Sequence, residues 1–291
     1  MHPIYNKTNM KKIILIIATI IMPLLASAQA QIDTKKVKIS DFTQKVTKVV
    51  LGGNEFFDIT FQDEITARWR ISPFEFCTLE EFEQIKGDDD YYFLMMTYGQ
   101  FRKETAPGLQ FLTLVKGGKG ADKGIGSMLE VVSLPFASAE YPTGRELVFL
   151  PAFIDIIQNH TLASMEKDIN GYAGLASSHL SLNKADNMEI ILSEDDLSDE
   201  ISNQQKKELL DEGVIVTDED EADRYMMENL PGAIVSYMVV PSEPVEGSYC
   251  YKMLIDTQTH KLYYFKKHRI GKKQGPGFLT EDINRITAHR R

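Results

Sequence analysis

The sequence has few cysteines, no excess of positive charge and no long apolar run beyond its amino terminus, and each absence excludes a class of protein. Two cysteines in 291 residues are too few for a small disulfide-stapled scaffold. A net charge of −10, from 32 basic and 42 acidic side chains, disfavours general nucleic-acid binding, which depends on neutralising phosphates. No second apolar stretch reaches about 18 residues, so no further membrane span is predicted.

The remaining composition is that of a folded protein. Hydrophobic residues make up 43 % and charged residues 25 % of the chain, which excludes a disordered or collagen-like sequence. At about 150 residues per domain, the length predicts one or two domains with their own apolar cores.

The amino terminus has the features of a secretory signal peptide. Lys11 and Lys12 precede the uncharged, mostly apolar residues 13–26, and Ala26-Ser27-Ala28 supplies small residues for cleavage. We therefore predict a signal peptide over residues 1–28, with Ala30 as the second choice of cleavage site and an uncleaved anchor as the alternative. The mature protein is expected to be periplasmic or secreted.

Hydrophobic patterns predict two successive blocks with the same order of elements. A polar lead-in at 29–45 comes before a first lobe at 46–175, and a second lobe is predicted at 186–291. Phe57, Phe61, Ile65 and Trp69 recur every four residues after the N-cap Asn54, which indicates a helix. Thr78 and Glu81 form a capping box. Other predicted strands include 70–76, 188–192 and 260–268. Predicted helices include 145–167, 198–212, 279–289 and one that begins at a cap at Thr217.

Each block is predicted to run strand, helix, strand, helix, three strands, helix. The fold class is therefore α+β, with two similar lobes, each a mixed sheet covered by helices. A tandem duplication explains the matched order, and coincidence is the alternative because few side chains are identical between the blocks.

One hairpin resembles a known family. The segment YKMLIDTQTHKL at 251–262, with a turn at its centre, is similar to the hairpin of the TolB amino-terminal and curli-secretion-channel-like envelope domains. That resemblance implies a small α/β unit used as a periplasmic binding module. The segment ISPFEFC at 71–77 and the signal-peptide style resemble uncharacterised secreted proteins of Bacteroidetes, which implies no activity.

The most conspicuous segment is the glycine–lysine loop, residues 116–127. Backbone amides of glycine-rich loops can hold phosphate, but this one lies between two predicted strands and does not match the nucleotide-binding P-loop pattern. It is predicted to be either a mobile hairpin tip or a partner-binding loop. The candidate binding residues are Lys116, Gly117, Gly118, Lys119, Gly120, Lys123 and Gly124.

Cys77 and Cys250 are an even pair in an oxidising compartment. A disulfide between them would join the two lobes and stabilise the fold by roughly 4–5 kcal/mol in the chain-entropy model. The alternative is two buried free thiols in separate cores.

No catalytic, metal or cofactor site is predicted. The six histidines have no metal-ligand spacing, and neither a nucleophile elbow nor a dinucleotide fingerprint occurs. The run Asp88-Asp89-Asp90 is predicted to be a solvated turn.

Charge is unevenly distributed. Residues 186–228 contain 16 acids and three bases, whereas residues 266–291 contain eight bases and two acids. The basic end is expected either to neutralise the acidic segment or to meet an anionic surface. The sequence thus predicts a binding module of the bacterial envelope whose partner is an envelope protein or an anionic surface component. The alternatives are an envelope enzyme or a solute receptor with a site in the cleft between lobes.

Overall fold

The protein is described by a computed structural model that covers residues 39–101, 103–167, 171–185, 187–211 and 213–288. The predicted signal peptide and its cleavage site lie outside these residues. The first lobe contains strands β1 to β5 and helices α1 to α3. Its strands are β1 (Val46–Leu51), β2 (Phe74–Thr78), β3 (Tyr91–Gly99), β4 (Leu109–Lys116) and β5 (Leu129–Ser138), and its helices are α1 (Glu55–Arg68), α2 (Leu79–Ile85) and α3 (Arg145–Lys167).

A short helix, α4 (Gly171–Ala176), and a 3-10 helix (Ser177–Lys184) connect the lobes. The residues between the two predicted lobes, 176–185, are therefore largely helical. The second lobe contains five strands and three helices. They are β6 (Glu189–Ser193), α5 (Asn203–Asp211), β7 (Val214–Thr217), α6 (Glu219–Met227), β8 (Ala233–Val239), β9 (Tyr249–Asp256), β10 (Leu262–Arg269) and α7 (Thr280–Thr287).

The two lobes have the same sheet topology, which confirms the predicted α+β class and element order. The first sheet has the order β2-β1-β3-β4-β5 and the second the order β7-β6-β8-β9-β10. In each sheet the first three strands of the lobe are parallel to one another, and the last two are added antiparallel as a meander. Both sheets are therefore mixed, as expected from the alternation of strands and helices.

Local capping chemistry sets most helix boundaries. The side chain of Asn54 accepts a hydrogen bond from the Phe57 amide, which starts α1. Thr78 and Glu81 form the predicted capping box of α2. The N-cap of α6 is Asp218, not the predicted Thr217, because Thr217 is still paired as the last residue of β7.

Three other predicted boundaries are corrected. Strand β2 begins at Phe74 rather than at residue 70, since 69–73 form a bend after α1. Helix α5 begins at Asn203 rather than at 198, since residues before it hydrogen-bond as turns. The strand predicted at 260–268 begins at Leu262. In the lead-in, Ile39 and Phe42 are buried, so its described end packs onto the first lobe.

The largest apolar cluster contains residues of both lobes. Helix α3 packs on β5 and α1 in its own lobe and on α6 in the second lobe. Its Phe149 and Phe153 both contact the ring of Tyr237 on β8, with centroid distances of 4.5 and 5.2 Å. The Tyr237 hydroxyl donates to the Phe136 carbonyl of β5, 2.7 Å away. One core therefore joins the two lobes.

Two smaller clusters lie on the outer faces of the sheets, one under α2 and one under α5 and α7. Over the described ranges, no helix combines the length and apolar character needed to cross a bilayer.

Candidate functional site

The glycine–lysine loop connects β4 and β5 in a tightly packed conformation. A Cβ atom at Gly117 would lie 2.1 Å from the Asp88 carbonyl, and one at Gly120 would lie 2.1 Å from the Ser127 carbonyl. Only glycine fits at these two positions. Several of its amides already donate to backbone carbonyls, namely those of Gly117, Gly118, Ala121, Lys123 and Gly124. These amides are not available to hold an anion.

The loop's lysines have different surroundings. Lys116 Nζ lies 2.6 Å from Asp41 Oδ2 and 5.4 Å from the centre of the Tyr92 ring. Lys119 and Lys123 are exposed. Lys116 therefore has a structural partner, while the other two remain available for a surface contact.

The two cysteines are free thiols in different sheets. Cys77 lies on β2 and Cys250 on β9, and both are buried. Burial raises the pKa of each thiol to about 11, which makes both poor nucleophiles. Of the two possibilities, the structure agrees with two buried free thiols and not with a bridge between them.

An arginine cluster lies at the carboxyl end of the parallel strands in the second sheet. It consists of Arg145, Asp196, Glu219 and Asp223. Arg145, the first residue of α3, donates from Nε to Asp223 Oδ1 at 2.6 Å and from Nη1 to Asp196 Oδ1 at 2.9 Å. Its Nη2 donates to the Ser236 carbonyl, and the Ser236 hydroxyl donates to Asp196 Oδ2 at 2.6 Å. The cluster ties a first-lobe helix to three elements of the second lobe.

The cluster contains more acid than base. Burial raises the pKa of Asp223 to about 6, and the charge of Arg145 offsets this only in part. Burial also raises the pKa of Glu219, whose Oε2 lies 3.7 Å from Arg145 Nη1. The adjoining cleft measures only about 130 Å³, enough for a few water molecules. The cluster is therefore better suited to joining the lobes than to holding a ligand.

A larger space, the interlobe cavity, lies at the other end of α3. It measures about 600 Å³ and is bounded by α3, by the α4 and 3-10 connection, and by the β9–β10 hairpin. Cavities of about 300–1,000 Å³ are typical of small-molecule sites. Most of its exposed lining surface is apolar, although eight of its fourteen lining residues have polar or charged side chains. The lining residues include Ile156, His160, Ala163, Leu175, Ser178, Asp256, His260, Lys261, Leu262 and Tyr263.

His260 is the polar group most clearly positioned in this cavity. It ends the turn after β9, in which Asp256 Oδ1 accepts from the amides of Gln258 and Thr259. Its φ of 54° is unusual for a residue other than glycine. The side chain is 4 % exposed, and Nδ1 lies 2.6 Å from Asp155 Oδ2. Backbone and side chain together fix the imidazole against the cavity.

The partners of Asp155 determine which ring nitrogen of His260 carries the proton. Arg68 Nη1 donates to Asp155 Oδ2 at 3.2 Å, and Gln158 Nε2 donates to Oδ1 at 3.2 Å. A carboxylate beside an arginine accepts hydrogen bonds, so Nδ1 of His260 donates to it. In the neutral ring, Nε2 is then an acceptor. No residue in the described part of the chain hydrogen-bonds to this Nε2.

Two neighbouring polar side chains have different roles. His160 is buried, which lowers its pKa to about 4 despite a hydrogen bond with the Val131 carbonyl, and its Nε2 lies 3.2 Å from Ser164 Oγ. It is therefore a neutral, internally bonded wall residue. Ser178 Oγ is buried and has no hydrogen-bond partner among the described residues.

Two charged side chains of opposite sign line the cavity. Asp256 and Lys261 both line it. The ammonium of Lys261 lies 4.1 Å from the centre of the Tyr263 ring, a cation–π contact. The lining residues thus provide one formal charge of each sign.

A site in the cleft between lobes was predicted only as an alternative and without any of its residues, and the arginine cluster was not predicted. His260 and Asp155 are 105 residues apart, and Arg145 is 51 residues from Asp196 and 78 from Asp223. No spacing pattern indicates such pairs. The only local signal was the turn before His260.

The acidic turn 88–90 brings three exposed carboxylates within 4.8 Å of one another. Asp88 Oδ1 accepts from the Asp90 amide, and Lys45 Nζ lies 3.3 Å from Asp90 Oδ1. The hydrogen bond within the turn and the nearby Lys45 ammonium account for the close approach of these carboxylates, as expected for a solvated turn.

Comparisons with known proteins give no relative. No protein-family model matches the chain, and neither does any curated protein or any solved structure at the level taken as significant. The resemblance of the second hairpin to periplasmic envelope domains therefore has only its own residues as support, and function must be inferred from the geometry described above.

Proposed function

We propose that this protein is a binding module of the bacterial envelope that takes a small, largely apolar solute in the interlobe cavity. The observation that carries the proposal is the cavity itself, about 600 Å³ in volume and bounded by elements of both lobes. Small-molecule sites are commonly concave, mostly apolar and equipped with a few fixed polar groups. The apolar side chains of Ile156, Leu175 and Leu262 and the oriented imidazole of His260 match this description.

The envelope location is part of the proposal and has its own test. It is supported by the basic, apolar and small-residue regions at the amino terminus. Amino-terminal sequencing of the protein from a cell fraction should give a chain that begins at Gln29, after cleavage at Ala28. A chain that retains residues 13–26 would contradict the cleaved signal peptide.

A surface contact with an envelope protein or an anionic surface component is a further part of the proposal. Lys119 and Lys123 in the glycine–lysine loop and Lys272 and Lys273 near the carboxyl end are exposed. This contact receives less support than the cavity, because Lys116 and most loop amides already have internal partners.

An enzyme that uses the same cavity is the second candidate. It is favoured by the His260–Asp155 pair, which resembles the base and orienting acid of a catalytic triad. No serine or cysteine in the described residues forms a hydrogen bond with His260. Hydrolysis of 4-nitrophenyl decanoate that is lost in His260→Asn would favour this candidate over simple binding.

A cavity-filling variant tests the binding function. Ala163 lines the cavity, so Ala163→Phe should occupy part of its volume. Ligand binding to the folded state raises the melting temperature. We expect alcohols, acids and amines of 8–12 carbons to include members that raise the melting temperature of the wild type and not that of Ala163→Phe.

Leu162→Phe is the matched control. Leu162 is the preceding residue of α3, is 39 % exposed and does not line the cavity. It should respond to the same compounds as the wild type. No stabilisation by any compound, or equal stabilisation of Ala163→Phe, would contradict binding in this cavity.

A further inference from the structure

Polar groups in the interlobe cavity select for hydrogen-bonding character as well as for size. Nδ1 of His260 donates to Asp155, so Nε2 offers a lone pair. In the neutral ring this atom is accessible in the unliganded protein, since the fully buried, unpaired side-chain atoms of the described residues do not include it. Burying an acceptor without a donor costs about 1–3 kcal/mol, and this cost would arise when a bound ligand covers Nε2. A ligand that supplies an O–H group at this point would remove that cost, whereas a ligand without a donor would leave Nε2 unpaired.

Charges around the cavity give no net preference for an ionised ligand. Asp256 and Lys261 contribute one charge of each sign, and Asp256 already accepts two backbone hydrogen bonds. Behind His260, Asp155 is paired with Arg68. His160 stays neutral because burial lowers its pKa to about 4. The formal charges of Asp256 and Lys261 cancel, so the lining as a whole favours neither an anion nor a cation.

We infer that the cavity binds an uncharged amphiphile, an alcohol or phenol with an apolar body, whose hydroxyl donates to His260 Nε2. The apolar body lies against Ile156, Ala163, Leu175 and Leu262. This inference rests on the proposed binding function and adds the ligand's chemical class to it.

Three ten-carbon probes separate the possibilities by isothermal titration calorimetry on the purified protein. They are 1-decanol, decyl methyl ether and decanoate. The ether keeps an acceptor oxygen but lacks the donor, and decanoate carries a negative charge. We expect the wild type to bind 1-decanol about tenfold more tightly than the ether, since one unpaired buried acceptor has about that effect. Decanoate should bind no more tightly than 1-decanol.

His260→Asn tests the residue directly. Asparagine tolerates the left-handed backbone at this position but is too short to replace Nε2. The variant should bind 1-decanol and the ether with equal affinity. Gln258→Asn introduces the same residue into the same turn at an exposed position outside the lining, and it should keep the wild-type preference.

The outcomes distinguish the ligand class from the cavity. Equal affinity of the wild type for 1-decanol and its ether, tighter binding of decanoate, or a preference that survives in His260→Asn would overturn the alcohol assignment while leaving the cavity function intact. Binding of 1-decanol that is unchanged in Ala163→Phe, or no binding of any probe, would overturn both.

Discussion

The two lobes have the same strand order and connections, yet their last helices differ greatly. In the first lobe, α3 spans 23 residues, whereas the equivalent α7 of the second lobe spans eight. The extra length allows α3 to cover parts of both sheets. Arg145 at its start reaches the second sheet, and its later turns form a wall of the interlobe cavity. The sites thus arise from a difference between the lobes, not from their shared topology.

The interiors of the lobes also differ in their polar groups. In the first lobe, the hydroxyls of Thr97, Thr113 and Ser133 bond to one another across three strands. In the second lobe, Lys252 and Asp282 form an ion pair with fully buried side chains, and the Tyr264 hydroxyl donates to Asp282. The same sheet topology therefore accommodates a neutral network in one lobe and an ionic one in the other.

The largest effect is expected for the buried ion pair. Lys252→Met should lower the free energy of unfolding by up to about 3–5 kcal/mol. It removes the buried ammonium beside Asp282 and leaves Lys266, 3.2 Å from Asp282 Oδ1, as the remaining cation. Urea denaturation provides the measurement. The double variant Lys252→Met, Asp282→Asn should recover part of the loss, since it removes the buried carboxylate charge that Lys252 balances in the wild type. A loss below about 1 kcal/mol in the single variant would mean that the ionic interior of the second lobe contributes little.

A pH-dependent effect is expected at the arginine cluster. The pKa of Asp223 is about 6, against 3.8 for a free aspartate, so the folded state binds this proton more tightly than the unfolded state. Ionised Asp223 therefore lowers stability above pH 6, and this cost disappears as the pH falls below about 4. As the pH rises from 4 to 7, the free energy of unfolding of Asp223→Asn should therefore increase by about 1–3 kcal/mol relative to that of the wild type.

Urea midpoints at several pH values measure this difference. The control is Asp195→Asn, which changes an exposed carboxylate one residue before Asp196 and should follow the wild-type profile. A stability difference between Asp223→Asn and the wild type that does not change with pH would contradict the raised pKa.

A smaller effect is expected at the rim of the first lobe. Although burial raises the pKa of Asp41, hydrogen bonds with Lys116, Tyr92 and Lys45 lower it to about 2. This group contributes stability above pH 4 that is lost as the pH falls towards 2. Lys116→Met should lower the free energy of unfolding, measured by urea denaturation, by about 1 kcal/mol. The control Lys119→Met, at an exposed position, should have a free energy of unfolding within about 0.5 kcal/mol of the wild type. If Lys116→Met lowered the free energy of unfolding as much as Lys252→Met does, the ion pair at the rim would be as important for stability as the buried one, which would contradict this prediction.

Local features of the fold could be predicted from the sequence because their causes lie within a few residues. The four-residue spacing of Phe57, Phe61 and Ile65 marks one face of α1, and Thr78 with Glu81 starts α2. The bounds of α3 and the turn after β9 follow from equally local patterns. Boundaries were less accurate where pairing with a neighbouring strand extended an element, as at Thr217.

The candidate site could not be predicted in the same way. The pairing of Asp155 with His260 depends on how the long helix of one lobe meets a hairpin of the other. That contact is set by packing of Phe149 and Phe153 on Tyr237, which no spacing within either lobe encodes. The glycines of the 116–127 loop predicted either a mobile hairpin tip or a partner-binding loop, whereas in the structure close packing requires glycine at Gly117 and Gly120.

The long helix also bears on how the chain is made. α3 leaves the ribosome before any strand of the second sheet exists, so Phe149 and Phe153 then have no ring of Tyr237 to cover them. Transiently exposed apolar surface of this kind favours aggregation and chaperone binding. When β8 and β9 follow, they meet a helix that is already anchored on β5 and α1. The first half of the chain thereby provides the apolar surface that the second half covers in the finished fold.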